Sequence, residues 1–93
     1  MEAALLFDWD GENAGHIFRH DVTMKEVEEV FANDPMDIEF EVAGEDRWTS
    51  IGHSDLLRVL VVVWTDRGRA MRPVTAYGAG KRVTREYLAM KGL

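Results

Sequence analysis

The apolar run at residues 56–64 constrains the fold more than any other segment of the chain. It reads Leu-Leu-Arg-Val-Leu-Val-Val-Val-Trp. β-Branched residues pack well on a pleated sheet, and a strand that is apolar along its length is usually covered on both faces. The run therefore predicts a central strand with other elements packed above and below it.

Three further strands are predicted around this central one. Residues 36–42 alternate apolar with acidic side chains, which indicates a half-buried strand with an acidic outer face, and a turn is predicted at residues 43–46. Residues 47–52 and 71–77 are the other two predicted strands. Pro73 lacks an N–H, so its strand is expected to lie at a sheet edge or to carry a bulge. Four consecutive strands with short turns predict an antiparallel meander.

Two helices are predicted before the meander. Asp10 can cap a helix that starts at Gly11, because its carboxylate can accept the free N–H groups of the first turn. Thr23 and Glu26 have the spacing of a capping box, and Asn33-Asp34-Pro35 is expected to end that second helix. Both helices are expected to cover one face of the sheet.

The two ends of the chain add a short strand at residues 5–9 and a helix at about residues 81–90. The predicted order is β-α-α-β-β-β-β-α, an α+β fold of four to five strands in a single domain over residues 1–93. The helical positions predicted to face the core are Ala14, Ile17, Phe18, Met24, Val27, Val30, Phe31, Val83, Tyr87 and Met90. Trp9, Trp48 and Trp64 are also predicted core residues.

Charge is divided unevenly along the chain. Residues 1–46 carry 14 Asp or Glu and two basic residues, whereas residues 47–93 carry three acidic and nine basic residues, so the net charges are −12 and +6. This asymmetry predicts a polyanion or an acidic partner on one face, unless the halves neutralise each other across the fold. The chain has no cysteine, which excludes disulfides and thiolate metal sites. With no membrane-length apolar run and no signal-like start, a cytoplasmic protein is expected.

The basic residues of the second half form the best candidate site. Guanidinium groups suit phosphates because they stay charged and donate two hydrogen bonds in a fork. Metal-free RNA cleavage needs such fixed cations with a proton acceptor and a proton donor. Docking of an acidic protein segment is the alternative. The candidate set is Arg67, Arg69, Arg72, Lys81, Arg82 and Arg85, with Tyr77 among them.

Two histidines provide a weaker candidate. His16 and His20 share one helix face, and with Glu12 one turn earlier they offer three potential metal ligands. No fourth ligand lies at a familiar spacing, so two histidines at the rim of the fold are the expected alternative. We therefore predict no metal site and no cofactor.

A set of short motifs, in order over about residues 5–88, resembles the BrnT toxin family. The resemblance implies a RelE-like fold, a bacterial type II toxin–antitoxin system and an endoribonuclease that needs no metal. It also implies a tight complex with a BrnA-type ribbon-helix-helix antitoxin. The toxin would contact DNA only indirectly, through that antitoxin. The matching residues are Phe7-Asp8-Trp9-Asp10, Asn13, Arg19-His20, Val30-Phe31, Asp34-Pro35, Gly44-Glu45-Asp46-Arg47-Trp48, Ile51-Gly52, Leu60-Val61-Val62-Val63, Thr65-Asp66-Arg67, Arg72, Ala76, Arg82, Arg85 and Tyr87.

The hypothesis of an RNA-cleaving toxin of this type assigns roles to individual residues. Arg72, Lys81, Arg82 and Arg85 would bind phosphate, and Tyr77 and His20 would take part in proton transfer. Tyr77 stands where the family has an arginine, and Val83 and Thr84 stand where a Glu-Arg pair is common. A catalytically weak or inactive binding module is therefore the alternative function.

Overall fold

The computed structural model describes residues 5–42 and 45–93, with all their side chains except those of residues 38–42, 45 and 46. Four strands form one antiparallel sheet in the order β1-β2-β3-β4, so the predicted α+β meander is confirmed. Of the turn predicted at residues 43–46, residues 43–44 lie outside this description, as do the predicted faces of side chains 38–42. Residues 45 and 46 belong to β2, so that strand starts two residues earlier than predicted. The elements are α1 (Gly11–Arg19), α2 (Met24–Ala32), β1 (Met36–Val42), β2 (Glu45–His53), β3 (Val59–Asp66), β4 (Met71–Gly78) and α3 (Lys81–Lys91).

The segment at residues 5–9 lies beside β4, where it forms one parallel bridge, Phe7 with Met71. The Met71 N–H donates to Leu6 O over 3.0 Å, and the Asp8 N–H donates to Met71 O over 2.8 Å. The next donor in a parallel ladder would be the N–H of residue 73, which is proline. The predicted first strand is therefore reduced to a bridge, although it keeps its place at the sheet.

Asn13 replaces the hydrogen bond that Pro73 cannot make. Its side-chain amide donates to Asp8 O over 2.9 Å and to Pro73 O over 3.0 Å. Asn13 is buried, so these two bonds satisfy backbone carbonyls away from water. The first turn of α1 is thereby fixed to both the N-terminal segment and the edge of the sheet.

Both predicted helix starts are confirmed, and each is a reciprocal capping box. Asp10 accepts from the backbone N–H groups of Glu12 and Asn13, and Asn13 Oδ1 accepts from the Asp10 N–H. Thr23 and Glu26 exchange the equivalent bonds at the start of α2.

The core lies between the first two helices and one face of the sheet, as predicted. Phe7, Trp9, Phe31 and Trp64 pack against its edge, and the Trp48 ring stacks on that of Trp64. Phe18 and Met24 were predicted to be core residues but are 71% and 45% exposed, because they lie at the margins of their helices. The fully buried cluster is Ile17, Val22, Val27, Val30, Leu60, Val62 and Ala76.

Helix α3 packs on the opposite face of the sheet. Tyr87 is buried, and its hydroxyl lies 2.8 Å from Nδ1 of His53, which pairs with Val59 and so points away from Leu60 and Val62. Burial raises the pKa of Tyr87. Tyr87 is the one residue of α3 that is buried, so the predictions for Val83 and Met90 were wrong, and both side chains are exposed. No helix within the described ranges is long and apolar enough to span a bilayer.

Strand β3 starts three residues later than predicted. Leu56 and Leu57 are exposed and belong to a turn that the Ser54–Arg58 backbone bond closes. Leu57 has a φ of 65°, which a strand residue does not adopt.

Strand β4 lies at the sheet edge and also carries a bulge, so both features predicted from Pro73 are confirmed. Trp64 pairs with Pro73 and Val63 pairs with Thr75, which leaves Val74 as the extra residue. Arg72 pairs with Thr65 and Tyr77 pairs with Val61. Because these β3 partners are four residues apart, the bulge places Arg72 and Tyr77 on the same face of the sheet.

Candidate active site

A polar cleft of about 410 Å³ lies where α1 meets the edge of the sheet. Its floor is formed by the sheet face that α3 leaves open, and one wall is formed by α1. Four arginines line it, from α1, β2, the β3–β4 turn and β4. The lining residues are Glu12, Asn13, His16, Arg19, Arg47, Thr65, Arg67, Arg72, Pro73 and Val74.

The floor of the cleft is a row of three residues across neighbouring strands. Thr65 pairs with Arg72 on β4, and continuing the β2–β3 register by one residue beyond Trp48 and Trp64 places Arg47 on its other side. The Thr65 hydroxyl oxygen is buried and has no hydrogen-bond partner among the described residues. A hydroxyl between two guanidinium-bearing positions is suited to donate to an anion.

The wall of the cleft is one face of α1. Glu12, His16 and Arg19 have the spacing i, i+4 and i+7, which places them on the same side of a helix. His16 Nε2 lies 3.1 Å from Thr75 Oγ1, so the imidazole is fixed against β4. The rings of His16 and His20 lie 5.0 Å apart. An acid, an imidazole and a guanidinium therefore face the floor from one helix.

Arg72 is held by two carboxylates at the rim of the cleft. Its guanidinium lies 3.1 Å from Asp10 Oδ2 and 3.5 Å from Asp8 Oδ2, and its side chain is only 16% exposed. The Asn13 backbone N–H and the Arg72 guanidinium together lower the pKa of Asp10 below its ordinary value. Arg72 therefore fixes the N-terminal segment to β4, and an incoming phosphate would compete with Asp8 and Asp10.

Of the residues predicted from the sequence, Arg67 and Arg72 line the cleft. Tyr77 is 44% exposed on the same sheet face as Arg72, about 13 Å farther along the strand direction. His20 is exposed at the end of α1. Arg69 lies apart and lines an apolar groove with Leu5, Phe31, Trp64 and Met71. The proton-transfer roles of Tyr77 and His20 stay predictions.

The three cations of α3 in the predicted set, Lys81, Arg82 and Arg85, are all exposed. Arg82 pairs with Glu86 one turn later, with Nε 3.2 Å from Oε1. Lys81 and Arg85 form no ion pair with any residue of the described ranges, so their charge is available to a ligand.

Most of the chain matches a known protein family. Residues 9–82 match the family model described as "Ribonuclease toxin, BrnT, of type II toxin-antitoxin system". The chain belongs to the BrnT toxin family. The resemblance inferred from the sequence is therefore confirmed, as is membership of a ribonuclease toxin family of type II toxin–antitoxin systems.

The fold agrees with that of a solved BrnT structure. The 1.1 Å crystal structure of the Brucella abortus ribonuclease toxin BrnT superimposes with a TM-score of 0.55 over 83% of this chain and 96% of that chain. Sequence identity is 16%, so this likeness supports the BrnT-like fold alone. A search of curated proteins finds no matching relative.

Besides Arg67 and Arg72, four ionisable residues line the cleft of this BrnT-family chain, and none of them was predicted to belong to an RNA site: Glu12, His16, Arg19 and Arg47. Glu12, His16 and Arg19 have helical spacing, so the predicted helix could have shown that they share one face. Arg47 could not be found this way, because its position depends on strand register. His16, His20 and Glu12 were considered as metal ligands, but the structure groups no three His, Asp or Glu side chains in a metal-binding arrangement within the described residues.

Proposed function

We propose that this BrnT-family protein is the toxin of a bacterial type II system and a metal-independent endoribonuclease of the cytoplasm. The observation that carries the proposal is the cleft lined by Arg19, Arg47, Arg67 and Arg72, together with a buried Thr65 hydroxyl that has no hydrogen-bond partner within the described part of the chain. RNA cleavage concentrates negative charge on one phosphate, and fixed guanidinium groups stabilise that charge without a metal ion.

The cleft would hold the reacting phosphate, and α3 would hold its neighbours along the chain. Lys81, Arg82 and Arg85 are exposed on α3, while Tyr77 lies on the sheet face between Arg72 and the start of that helix. A flexible single strand could follow this path, since cations that track the backbone bind it without sequence preference. Tyr77, being half exposed, could stack on an unpaired base.

The proposal is tested by cleavage of a single-stranded RNA oligonucleotide in EDTA, with protein made by cell-free synthesis. We expect the wild type to cleave and Arg67→Ala to be about 10- to 1,000-fold slower, because it loses one cation from the site of developing charge. Lys25→Ala is the matched control, since it removes an exposed positive charge from α2, outside the cleft. If folded wild-type protein leaves RNA intact in EDTA, the proposal is wrong.

The chain also fits a second function, a catalytically weak or inactive relative that acts as a binding module. Its support is Arg72, which two carboxylates already neutralise. A chain that binds an acidic protein segment through α3 and cleaves no RNA would have this function. The RNA assay above therefore discriminates between the two.

The proposed partner is a BrnA-type antitoxin of the ribbon-helix-helix class. Membership of a type II toxin–antitoxin family implies an antitoxin partner. The BrnA type is proposed from the sequence resemblance. The same resemblance suggests that this chain contacts DNA only indirectly, through the antitoxin. Copurification of this chain with the product of the adjacent gene tests the pairing.

A further inference from the structure

Proton transfer in the proposed reaction needs two groups that reach one phosphate. The 2′-hydroxyl must lose a proton as it attacks phosphorus, and the 5′-oxygen must gain one as it leaves. Neither predicted proton-transfer residue, Tyr77 or His20, lines the cleft. Two titratable side chains that are not arginines do line it, Glu12 and His16.

Glu12 and His16 are placed to act on the same phosphate. They lie four residues apart on α1, so their Cβ atoms are about 6 Å apart and both side chains point to the same side. His16 Nε2 is occupied by Thr75 Oγ1 at 3.1 Å, which leaves Nδ1 to exchange a proton. The imidazole is thus oriented by β4 in the way that a catalytic histidine is oriented by a supporting group.

We infer that Glu12 is the general base and His16 the general acid of this cleft, an inference that rests on the proposed ribonuclease function. The Glu12 carboxylate takes the 2′-hydroxyl proton while O2′ forms a bond to phosphorus. The bond from phosphorus to O5′ breaks, and the imidazolium of His16 gives its Nδ1 proton to O5′. The products are a 2′,3′-cyclic phosphate and a 5′-hydroxyl, with no oxidant, water or metal consumed.

Positive charges surround the pair. Arg19 lies on the same helix, Arg47 comes from β2, Arg67 from the β3–β4 turn and Arg72 from β4. These cations would attract a phosphate to the pair and stabilise the negative charge that builds on it during the reaction. The exposed His20 also lies beside His16, with 5.0 Å between the ring centroids.

The test is the pH dependence of single-turnover RNA cleavage from about pH 5 to pH 9. The cleavage rate of the wild type is expected to follow a bell-shaped curve against pH, because one group must be ionised and the other protonated. Glu12→Gln should lose the acidic limb and His16→Gln the alkaline limb, each with a rate at least 100-fold lower at neutral pH. Phe18→Gln is the matched control, since its side chain faces solvent on the same helix.

A structural effect of the variants is separated from a chemical one by rescue. Added imidazole should restore cleavage by His16→Gly and leave Glu12→Gln unchanged, an effect that lost packing cannot produce. If the wild type cleaves RNA but His16→Gln keeps both limbs and its rate, the inference is wrong while the ribonuclease function stands. A His20→Gln variant that loses activity while His16→Gln keeps it would also overturn the inference. If the wild type cleaves no RNA, both proposals fail.

Discussion

At the scale of single residues, Gly52 shows how closely helix and sheet approach each other. It is buried on β2 beneath α2, and a Cβ atom built there would lie 2.7 Å from Val30 Cγ1 and 3.1 Å from Pro35 Cβ. Val30 lies in the close-packed core and Pro35 Cβ is part of a rigid ring, so neither neighbour can move away easily. Glycine at this position therefore sets the distance between α2 and the sheet.

Gly52→Ala should lower the free energy of unfolding by about 1–3 kcal/mol, the usual range for overpacking a core. Gly15→Ala is the control, because its Cβ would meet nothing within 4 Å in α1. There the same change should raise the free energy of unfolding by up to about 1 kcal/mol. Urea unfolding of the three proteins measures both effects, and equal values for the two variants would contradict the close approach.

At the scale of elements, the start of α1 joins three parts of the fold. Asp10 caps the helix and pairs with Arg72 of β4, while Asn13 bonds the N-terminal segment and Pro73. The first turn therefore fixes the start of this nine-residue helix to the sheet, while the buried Ile17 and the contact of His16 with Thr75 hold its second half. Together these contacts set the positions of Glu12 and His16 in the cleft.

The Asp10 carboxylate makes the stability of this junction depend on pH. Asp10→Asn keeps a good capping residue but loses the charge that pairs with Arg72, so it should unfold at a lower urea concentration at pH 7. The pKa of Asp10 is lower in the folded protein than its ordinary value of 3.8. The wild-type advantage is therefore full above that value and should disappear as the pH falls below it. Asp21→Asn, an exposed change, is the control.

Elements with local signals were predicted well, and those that depend on tertiary packing were not. Both capping boxes lie within four residues of sequence, so α1 and α2 start where expected. Leu56 and Leu57 extend an apolar run, but the Ser54–Arg58 bond makes them a turn. Val83 and Met90 have the spacing of a buried face, but Tyr87 is the one residue of α3 that is buried. Periodicity marks a face without showing what covers it.

At the scale of the whole molecule, the uneven charge has two outcomes. Some basic residues are neutralised by the acidic half, and others stay available to a partner. Among the described residues, four ion pairs join the acidic half to the basic half: Arg58 with Glu26 at 3.1 Å, Arg72 with both Asp8 and Asp10, and Lys91 with Asp34 at 3.3 Å. On α3, Lys81 and Arg85 have no such partner within the described ranges. The fold thus neutralises part of its basic half and leaves another part available to a polyanion.

The unpaired charge should appear in the salt dependence of RNA binding. Each phosphate contact on a single strand contributes about 0.7 to the slope of log K against log salt. Replacing Lys81, Arg82 and Arg85 together by alanine should reduce that slope by up to about 2 and weaken binding. Filter binding or anisotropy from low to moderate salt measures it, with Lys25→Ala as the single-charge control. An unchanged slope would mean that α3 does not contact RNA.

The candidate site was predicted in part because only some of its members are close in sequence. Arg67 and Arg72 flank one turn, so a basic cluster there could be seen directly. Arg47 joins them through the pairing of three strands, and Glu12 and His16 through a helix that precedes the sheet. Such contacts between distant residues follow from register and packing, which composition and spacing do not specify.

The extra residue in β4 has a wider consequence for interpreting strands of this kind. In an alternating pattern, one inserted position exchanges the two faces for everything that follows it. Residues before Val74 and residues after it therefore belong to opposite phases of a single strand. Any transplant of this edge into another sheet must keep the bulge at Val74, because in a regularly paired strand Arg72 and Tyr77, which are five residues apart, would be presented to opposite sides.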